Sequence, residues 1–389
     1  MIIEQANAAP ADSEAPGHLG VAPQRARIHP FRFTGSASEY FRIWIVSMLL
    51  TIVTLGGYGP WAKVRKRRYL YGHTWVAGTN FDFHGDPRAI FRGRLIALVA
   101  LGGYTALGYV APTLATVLLV VLAPLGPLVI LRSMRFVSAN SSFRNLRFAF
   151  HGPYRDAARA IGPLLLWPLL VLLQSDDLGA PGELSWAAIA WGFAPLIGFA
   201  ALHPWMMWSR WGLRIGGTAY GTEAFRSGAS LRSFYGIYAQ AVAVAIACLI
   251  PAMMGTSSLF ALREVAGMSW LFLLAIVPWL LLAVAVMAFT RARVGNLVLG
   301  RTQIGTHIRL RSELKALTLM RMYLVNTVAV TASLGCLVPW AVVRTARYRA
   351  TTLSLAVDGS LDDVLAGIVQ PASATGDELA GLFDFELSL

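Results

Sequence analysis

The chain has 389 residues, of which 56% are hydrophobic and only 14% are charged. Soluble domains contain about 25% charged residues, so this composition cannot cover a water-facing surface. It excludes a disordered chain and an ordinary cytosolic enzyme. Cys248 and Cys336, the two cysteines, both lie in apolar runs, which excludes a disulfide framework. We therefore interpret the chain as an α-helical integral membrane protein.

The two ends of the chain differ from its middle. Residues 1–28 are rich in proline and alanine and lack the apolar stretch of a signal peptide, so we expect a disordered tail. Residues 360–389 are acidic, and we expect a second, solvated tail there. Residues 29–359 are expected to form a single membrane domain built from repeats.

Six apolar runs in the middle of the chain are predicted to span the membrane. A spanning helix needs roughly 20 mostly apolar residues. The run from Leu95 to Leu131 is interrupted at Ala111-Pro112-Thr113, which predicts two helices joined by a tight turn. The other four predicted spans are Ala160–Ser175, Leu184–Ser209, Ser233–Leu262 and Val265–Thr290.

Two further runs, Ile43–Ala62 and Met322–Val343, bracket these six. Each contains glycine and then proline near one end, at 55–60 and 334–339. The unbroken helix before the glycine would be about 20 Å long at 1.5 Å per residue, whereas the hydrocarbon core is about 30 Å thick. Each outer run is therefore expected either to cross with a kinked end, giving eight spans in all, or to dip in and return.

The basic residues predict the orientation. Alternate connections between the apolar runs carry eight, six, four and seven Lys and Arg, 25 in all, whereas Arg263 is alone on the opposite side. The positive-inside rule places the 25 in the cytoplasm. The excess of positive charge therefore belongs to membrane topology and does not indicate a nucleic-acid groove. The basic residues near both tails leave the side of the tails open.

The chain resembles itself at two spacings. A shift of 67 residues places Phe81, Phe83, His84 and Gly85 on identical residues, and a shift of 279 does the same for Leu55. The partners at a shift of 67 are Phe148, Phe150, His151 and Gly152, and Leu334 is the partner at 279. Alternating apolar residues before each Phe-His-Gly predict a short strand. Because a lone strand is unstable in water, we expect five or six of them to form a small antiparallel sheet beneath the membrane, with Gly85 and Gly152 at its turns.

The stretch from Phe31 to Arg94 combines a Leu-Gly-Gly turn, a Pro-Trp-Ala-Lys-Val-Arg segment at 60–65 and the Phe81–Gly85 strand end. In these features it resembles the YjgN-like family of bacterial inner-membrane proteins of unknown function. The resemblance extends to about Gly359. It implies a multi-pass location in the inner membrane and brings no activity, cofactor or catalytic residue.

A Pro-Trp-Ala-x-Val-Arg-x-x-Arg-Tyr motif occurs twice, at 60–69 and 339–348. Its tryptophans, Trp61 and Trp340, are expected to anchor the chain at headgroup depth. Its two arginines are three residues apart and share one helix face, so they could hold a lipid phosphate as a fork. These candidates are Arg65, Arg68, Arg344 and Arg347. The alternative is that the motif is a topology anchor and nothing more.

His84 and His151 occupy matching places in two repeats, but a metal site needs three or four converging ligands. We interpret both as turn histidines and predict no metal or other cofactor. Apart from His203, the six predicted spans contain no ionisable side chain, and no catalytic constellation is evident, so an enzyme is not expected.

Two functions remain open at this point. The first is a membrane protein that binds anionic lipid headgroups or a partner through its basic cytoplasmic face. The second is a transporter or channel for a neutral or lipid-like solute, since repeats flanked by broken outer segments are typical of transporters. The scarcity of buried charge counts against the second function.

Overall fold

A computed structural model describes residues 26–174, 186–267 and 274–362. The two predicted tails lie almost entirely outside these residues. Within them, the helices are α1 Ala37–Val53, α2 Gly59–Gly72, α3 Pro87–Val110, α4 Pro112–Leu122, α5 Leu125–Ala139, α6 Tyr154–Gln174, α7 Trp186–Gly216, α8 Leu231–Ala266, α9 Ile276–Gly300, α10 Ala316–Ala332 and α11 Val338–Thr351. The strands are β1 Arg27–Pro30, β2 Arg32–Phe33, β3 Thr74–Val76, β4 Thr79–Phe83, β5 Ser141–Phe143, β6 Leu146–Phe150, β7 Thr218–Tyr220, β8 Glu223–Ser227, β9 Thr302–Ile304, β10 Ile308–Ser312 and β11 Leu353–Val357.

The predicted antiparallel sheet is present, but each predicted strand segment folds back on itself as a hairpin, so the expected number of five or six strands is wrong. Ala77 and Gly78 connect β3 to β4 with φ of 48° and 77°, and Arg144 and Asn145 connect β5 to β6 with φ of 48° and 64°. Two successive positive φ angles are typical of the two-residue turns that match the twist of a hairpin. The apolar alternation continues through these turns, which is why the sequence suggests one longer strand.

The 11 strands form one antiparallel sheet that closes on itself. Their order is β1-β11-β10-β9-β8-β7-β6-β5-β4-β3-β2, so the two outermost strands are neighbours in the chain, separated by Phe31 alone. β1 pairs with β11, whereas β2 pairs with β3. The change of partner follows Pro30, which has no N–H to extend the ladder toward β3. We call this closed sheet the ring.

The inside of the ring is packed with apolar side chains. Residues that alternate along the strands point inward, and nearly every strand contributes. They form one cluster of Val76, Phe143, Tyr220, Ile308, Leu355, Val357 and Leu361, with Phe31, Phe81, Phe148 and Phe225 packed against it. The ring is therefore a small hydrophobic core rather than an open pore.

Helices leave and re-enter the ring at one edge, opposite the hairpin turns. Most helices pack against the helices before and after them in the chain, and α11 packs more extensively against α1 than against α10. The predicted interruption near Ala111 is confirmed, because α3 ends at Val110 and α4 begins at Pro112. Helices and strands thus follow the same closed circular order.

Among the described residues, three helices are long and apolar enough to cross a membrane: α3, α8 and α9. A fourth span is available if α4 and α5, which meet at 48°, count as one bent span. The totals of six or eight spans stay predictions.

Both outer runs are helical hairpins rather than single helices. α1 and α2 pack side by side around a break at Thr54–Tyr58, and both open ends return to the ring, where Phe33 pairs with Thr74. α10 and α11 repeat this arrangement around Ser333–Leu337. Of the two alternatives for the outer runs, the structure favours the one in which the chain returns. We call these two breaks the tips.

Candidate functional site

The two copies of the Pro-Trp-Ala motif adopt the same local structure. α1 and α10 have 17 residues each, and α2 and α11 have 14 each. At the tips, Leu55 and Gly56 have φ of 49° and 91°, and the residues 279 positions later have φ of 48° and 92°. The amide of Gly56 donates to the carbonyl of Thr51, five residues earlier in the chain. This hydrogen bond is typical of the Schellman motif that ends many helices.

The second arginine of each motif holds the polypeptide link between a strand and the helix that follows. Arg68 Nε donates to the carbonyl oxygen of Phe83 at 3.3 Å, and Arg347 Nη2 donates to that of Gly35 at 3.0 Å. Both carbonyls lie at the helix-side edge of the ring. The structure therefore gives Arg68 and Arg347 a role in joining α2 and α11 to the ring.

The first arginine of each motif differs between the copies. Arg344 donates to Asn326 Oδ1 at 3.2 Å and lies 5.0 Å from the ring centroid of Trp340. Arg65 is exposed and has no hydrogen bond or ion pair within the described residues. Trp61, the counterpart of Trp340, packs between Tyr58 and Phe91 at 5.9 and 5.6 Å between centroids. Arg65 is thus the candidate whose guanidinium stays available.

The tyrosine that ends each motif is a functional group that sequence reasoning overlooked. Tyr69 Oη accepts a hydrogen bond from the amide of Ser36 at 2.8 Å and donates to its carbonyl at 2.9 Å. Tyr348 Oη accepts in the same way from the amide of Lys315 at 3.0 Å. Burial, reinforced by the nearby Glu39 carboxylate, raises the pKa of Tyr69 to about 12. The identity of the two tyrosines at the 279 spacing was the signal for this role.

The predicted Phe-His-Gly turns lie at the helix-side edge of the ring and not at its hairpin turns. Phe83 is fully buried, and a Cβ on Gly85 would stand 2.6 Å from its ring. The same spacing separates Phe150 from a Cβ on Gly152. Glycine is required there because the phenylalanine ring folds back over the link. Phe81 and Phe148 point into the ring below them.

The backbone amides of the two histidines form hydrogen bonds with the carbonyls that precede the next strand of the ring. His84 N–H donates to the carbonyl of Asn140 at 2.8 Å, and His151 N–H donates to that of Gly217 at 2.7 Å. The His84 ring lies 3.0 Å from Ser142 Oγ. No group of three or more His, Cys, Asp or Glu with metal-site geometry occurs in the described part of the chain.

Exposed basic side chains lie on the helices near the ring and, in α2, between the tip and the ring. Arg94 in α3 lies farther from the ring, at the level of the tip between α1 and α2, where its Nη1 donates to the carbonyl oxygen of Gly56 at 3.0 Å. From Arg94, α3 continues to Val110, which is about 24 Å of further helix. The tip between α1 and α2 therefore lies well short of the far end of α3. The other exposed basic residues in this zone include Lys63, Arg65, Lys66, Arg132, Arg135, Arg214, Arg232, Arg291, Arg293 and Arg349.

Residues 28–382 match the model of a family described as bacterial protein of unknown function (DUF898). The chain belongs to this family. It is 27% identical over 204 residues to the inner membrane protein YjgN of Salmonella typhimurium, a match that covers 51% of each chain. It is 32% identical over 131 residues to the inner membrane protein YjgN of Escherichia coli K12, covering 32% of this chain and 31% of that protein. No solved structure matches.

The matches span about half or less of the length of these curated relatives. With the apolar helices, they place this DUF898 protein in the inner membrane. The predicted resemblance to the YjgN-like family is confirmed.

Proposed function

We propose that the protein is a multi-pass inner-membrane protein, built from repeated helix–hairpin units, that binds anionic lipid headgroups at the basic helix surfaces between its ring and its tips. The observation that carries this proposal is the position of Arg65. It is exposed, it lacks a protein partner within the described residues, and it lies one turn from Trp61, a residue type typical of headgroup depth.

The surroundings of Arg65 support a phosphate ligand. Lys63 and Lys66 are also exposed on α2, and the described residues place no carboxylate in an ion pair with any of the three. Guanidinium groups recognise phosphate through two parallel hydrogen bonds, and each basic residue near an anionic membrane surface contributes about 1 kcal/mol. The α1–α2 hairpin is too short to carry its basic residues across the bilayer, which supports a re-entrant position with the ring in the cytoplasm.

The experiment compares two double variants of equal charge. Arg65→Gln with Lys66→Gln removes the proposed contacts, whereas Arg147→Gln with Arg309→Gln removes the same charge from exposed positions on the outer face of the ring, near its hairpin turns. Purified protein is analysed by mass spectrometry for bound phosphatidylglycerol and cardiolipin. We expect the first pair to weaken anionic-lipid binding by roughly 30-fold, from about 1 kcal/mol per residue, and the second to leave it unchanged.

Equal lipid content in both variants, together with an altered orientation of the first, would instead support the topology-anchor interpretation. Arg68 and Arg347 are unsuitable for this comparison, because each holds a backbone carbonyl of the ring and its loss would change the fold as well.

Transport of a neutral or lipid-like solute is the second candidate. The circular order of helix contacts favours it, since helices that pack mainly on their neighbours in the chain surround a common axis. The apolar filling of the ring would close such a path at the cytoplasmic side. Uptake of a lipid-like fluorescent probe into vesicles containing the protein, compared with vesicles containing the Arg65 variant, tests this candidate.

A further inference from the structure

A cavity of about 350 Å³ lies where α6, α7 and α8 leave the ring, in a part of the molecule distant in sequence from Arg65. Asp156 and Arg159 come from the first turns of α6. The last third of α7 contributes Trp208, Ser209, Trp211, Gly212 and Leu213. The end of β8 and the start of α8 close the other side with Ser227, Ala229 and Phe234. Tryptophans at this level, between apolar and basic segments, are typical of the headgroup region.

The charges that line this cavity balance. Arg159 Nη1 lies 3.6 Å from Asp156 Oδ1, and each side chain is about half exposed. The pair therefore offers one cation and one anion to a ligand, side by side on α6. A purely anionic headgroup would meet the carboxylate of Asp156, whereas a zwitterion can satisfy both groups.

The walls of the cavity are aromatic and fixed in orientation. Trp208 Nε1 donates to the carbonyl oxygen of Ala229 at 3.0 Å, which holds the indole plane. Trp211 stacks with Arg214, whose Cζ lies 5.4 Å from the indole centroid. An indole face attracts an organic cation, and tryptophan is the best of the aromatic side chains in this respect.

A buried polar group in the wall of the cavity has no partner. Ser209 Oγ is buried and forms no hydrogen bond within the described residues, although serine in a helix can usually donate to the carbonyl four residues earlier. A buried hydroxyl without a partner is costly, so a ligand oxygen at this position would recover the lost hydrogen bond. Gly212 adds space, because a Cβ built there would meet no atom within 4 Å.

We propose that this cavity binds a phosphoethanolamine group, and that its source is the headgroup of phosphatidylethanolamine. The primary ammonium would donate to Asp156 and lie against Trp208, while the phosphate would accept from Arg159 and Ser209. This site is independent of the proposed anionic-lipid contacts on α2, so either proposal can fail without the other.

The experiment uses the full-length protein in detergent and three probes: dihexanoyl phosphatidylethanolamine, dihexanoyl phosphatidylglycerol and free phosphoethanolamine. Binding is measured by native mass spectrometry and by the shift in thermal unfolding. We expect the phosphatidylethanolamine probe to bind most tightly. Gly212→Leu should abolish that binding by filling the cavity, while Gly216→Leu is the matched control, since Gly216 also has no neighbour within 4 Å and does not line the cavity.

Two charge variants separate the roles of the ion pair. Asp156→Asn should weaken phosphatidylethanolamine binding by about tenfold and bring phosphatidylglycerol closer to it, whereas Arg159→Gln should weaken both. Binding that is insensitive to Gly212→Leu, or phosphatidylglycerol that binds wild type as tightly as phosphatidylethanolamine, would overturn the proposal. Free phosphoethanolamine that competes as strongly as the lipid would overturn the lipid as the source.

Discussion

Arg144 forms an ion pair with Asp362 across the end of the ring that lies farthest from the helices. The same guanidinium donates through Nη2 to the carbonyl oxygen of Ala77 at 3.2 Å, so it joins two hairpin turns to the segment that follows β11. Leu361, next to Asp362, is buried in the apolar cluster inside the ring. The segment after β11 thus closes the turn end of the ring, with leucine inside and aspartate outside.

This arrangement predicts unequal costs for two adjacent substitutions. Leu361→Ala removes a buried side chain and should lower stability by about 2 kcal/mol or more. Asp362→Asn should cost less than about 1 kcal/mol, because the aspartate is 79% exposed and its ion pair is screened by solvent. Thermal unfolding of the two purified variants in the same detergent checks the order. A larger loss for Asp362→Asn would contradict the assignment of Leu361 to the core.

The glycines after the buried phenylalanines allow a matched test of packing. Gly85→Ala should destabilise by roughly 1–3 kcal/mol, because its Cβ would overlap the ring of Phe83. Gly93→Ala in α3 is the control, since no atom lies within 4 Å of its added Cβ and alanine favours helix. The readout is the unfolding temperature of each variant relative to wild type. Equal unfolding temperatures for the two variants would show that the phenyl group of Phe83 does not pack over Gly85.

The hydroxyl of Tyr69 is expected to stabilise the folded protein at neutral pH and to lose this contribution at alkaline pH. Its folded-state pKa is raised to about 12 from an ordinary value of 10, so the neutral phenol is favoured by folding. That contribution is fully present below pH 10 and is lost as the pH rises from 10 toward 12. Tyr220, whose hydroxyl donates to the carbonyl of Phe143 at 2.9 Å, behaves alike because burial raises its pKa to about 12.

Alkaline titration of phenolate absorbance checks this expectation. Wild type should contain tyrosines that ionise late, and Tyr69→Phe and Tyr220→Phe should each remove one of them. Each variant should also lose about 1–3 kcal/mol at neutral pH, since a buried hydrogen-bond partner is left unsatisfied. Unchanged late-ionising absorbance in both variants would show that these hydroxyls are open to water.

The position of β11 in the ring predicts where the end of the chain lies. β11 pairs with both β1 and β10, so this strand belongs to the ring, and we propose that the ring lies in the cytoplasm. A fluorescent-protein fusion after Leu389 should therefore be active in the cytoplasm, and an alkaline phosphatase fusion at the same position should be inactive. The opposite pair of results would contradict the proposed cytoplasmic position of the ring.

Much of this arrangement could be predicted from sequence where the signal is local. Apolar runs located the helices, and the identity of Phe83 with Phe150 at a spacing of 67 anticipated their matching positions at one edge of the sheet. The hairpin turn at Arg144-Asn145 was missed because it lacks glycine, the usual mark of a positive φ. The role of Tyr69 was missed because a hydrogen bond to Ser36 leaves no trace in hydropathy.

Closure of the ring was beyond sequence reasoning for a different reason. Arg27 pairs with Val357, and no local pattern in either strand indicates a partner so far along the chain. The cavity near Trp208 was missed for the same reason, since it combines one end of α6 with the opposite end of α7.

The pairing of β1 with β11 also constrains how the protein can be made. The first strand leaves the ribosome long before its partner exists, so one edge of the unfinished sheet must wait while the helices between them enter the bilayer. Because β1 and β11 are neighbours in the ring, the ring can close whichever helix–hairpin unit comes first in the chain, provided that every unit is present. A chain opened at the tip near Gly56 and rejoined through a linker between β1 and β11 should assemble the same closed structure.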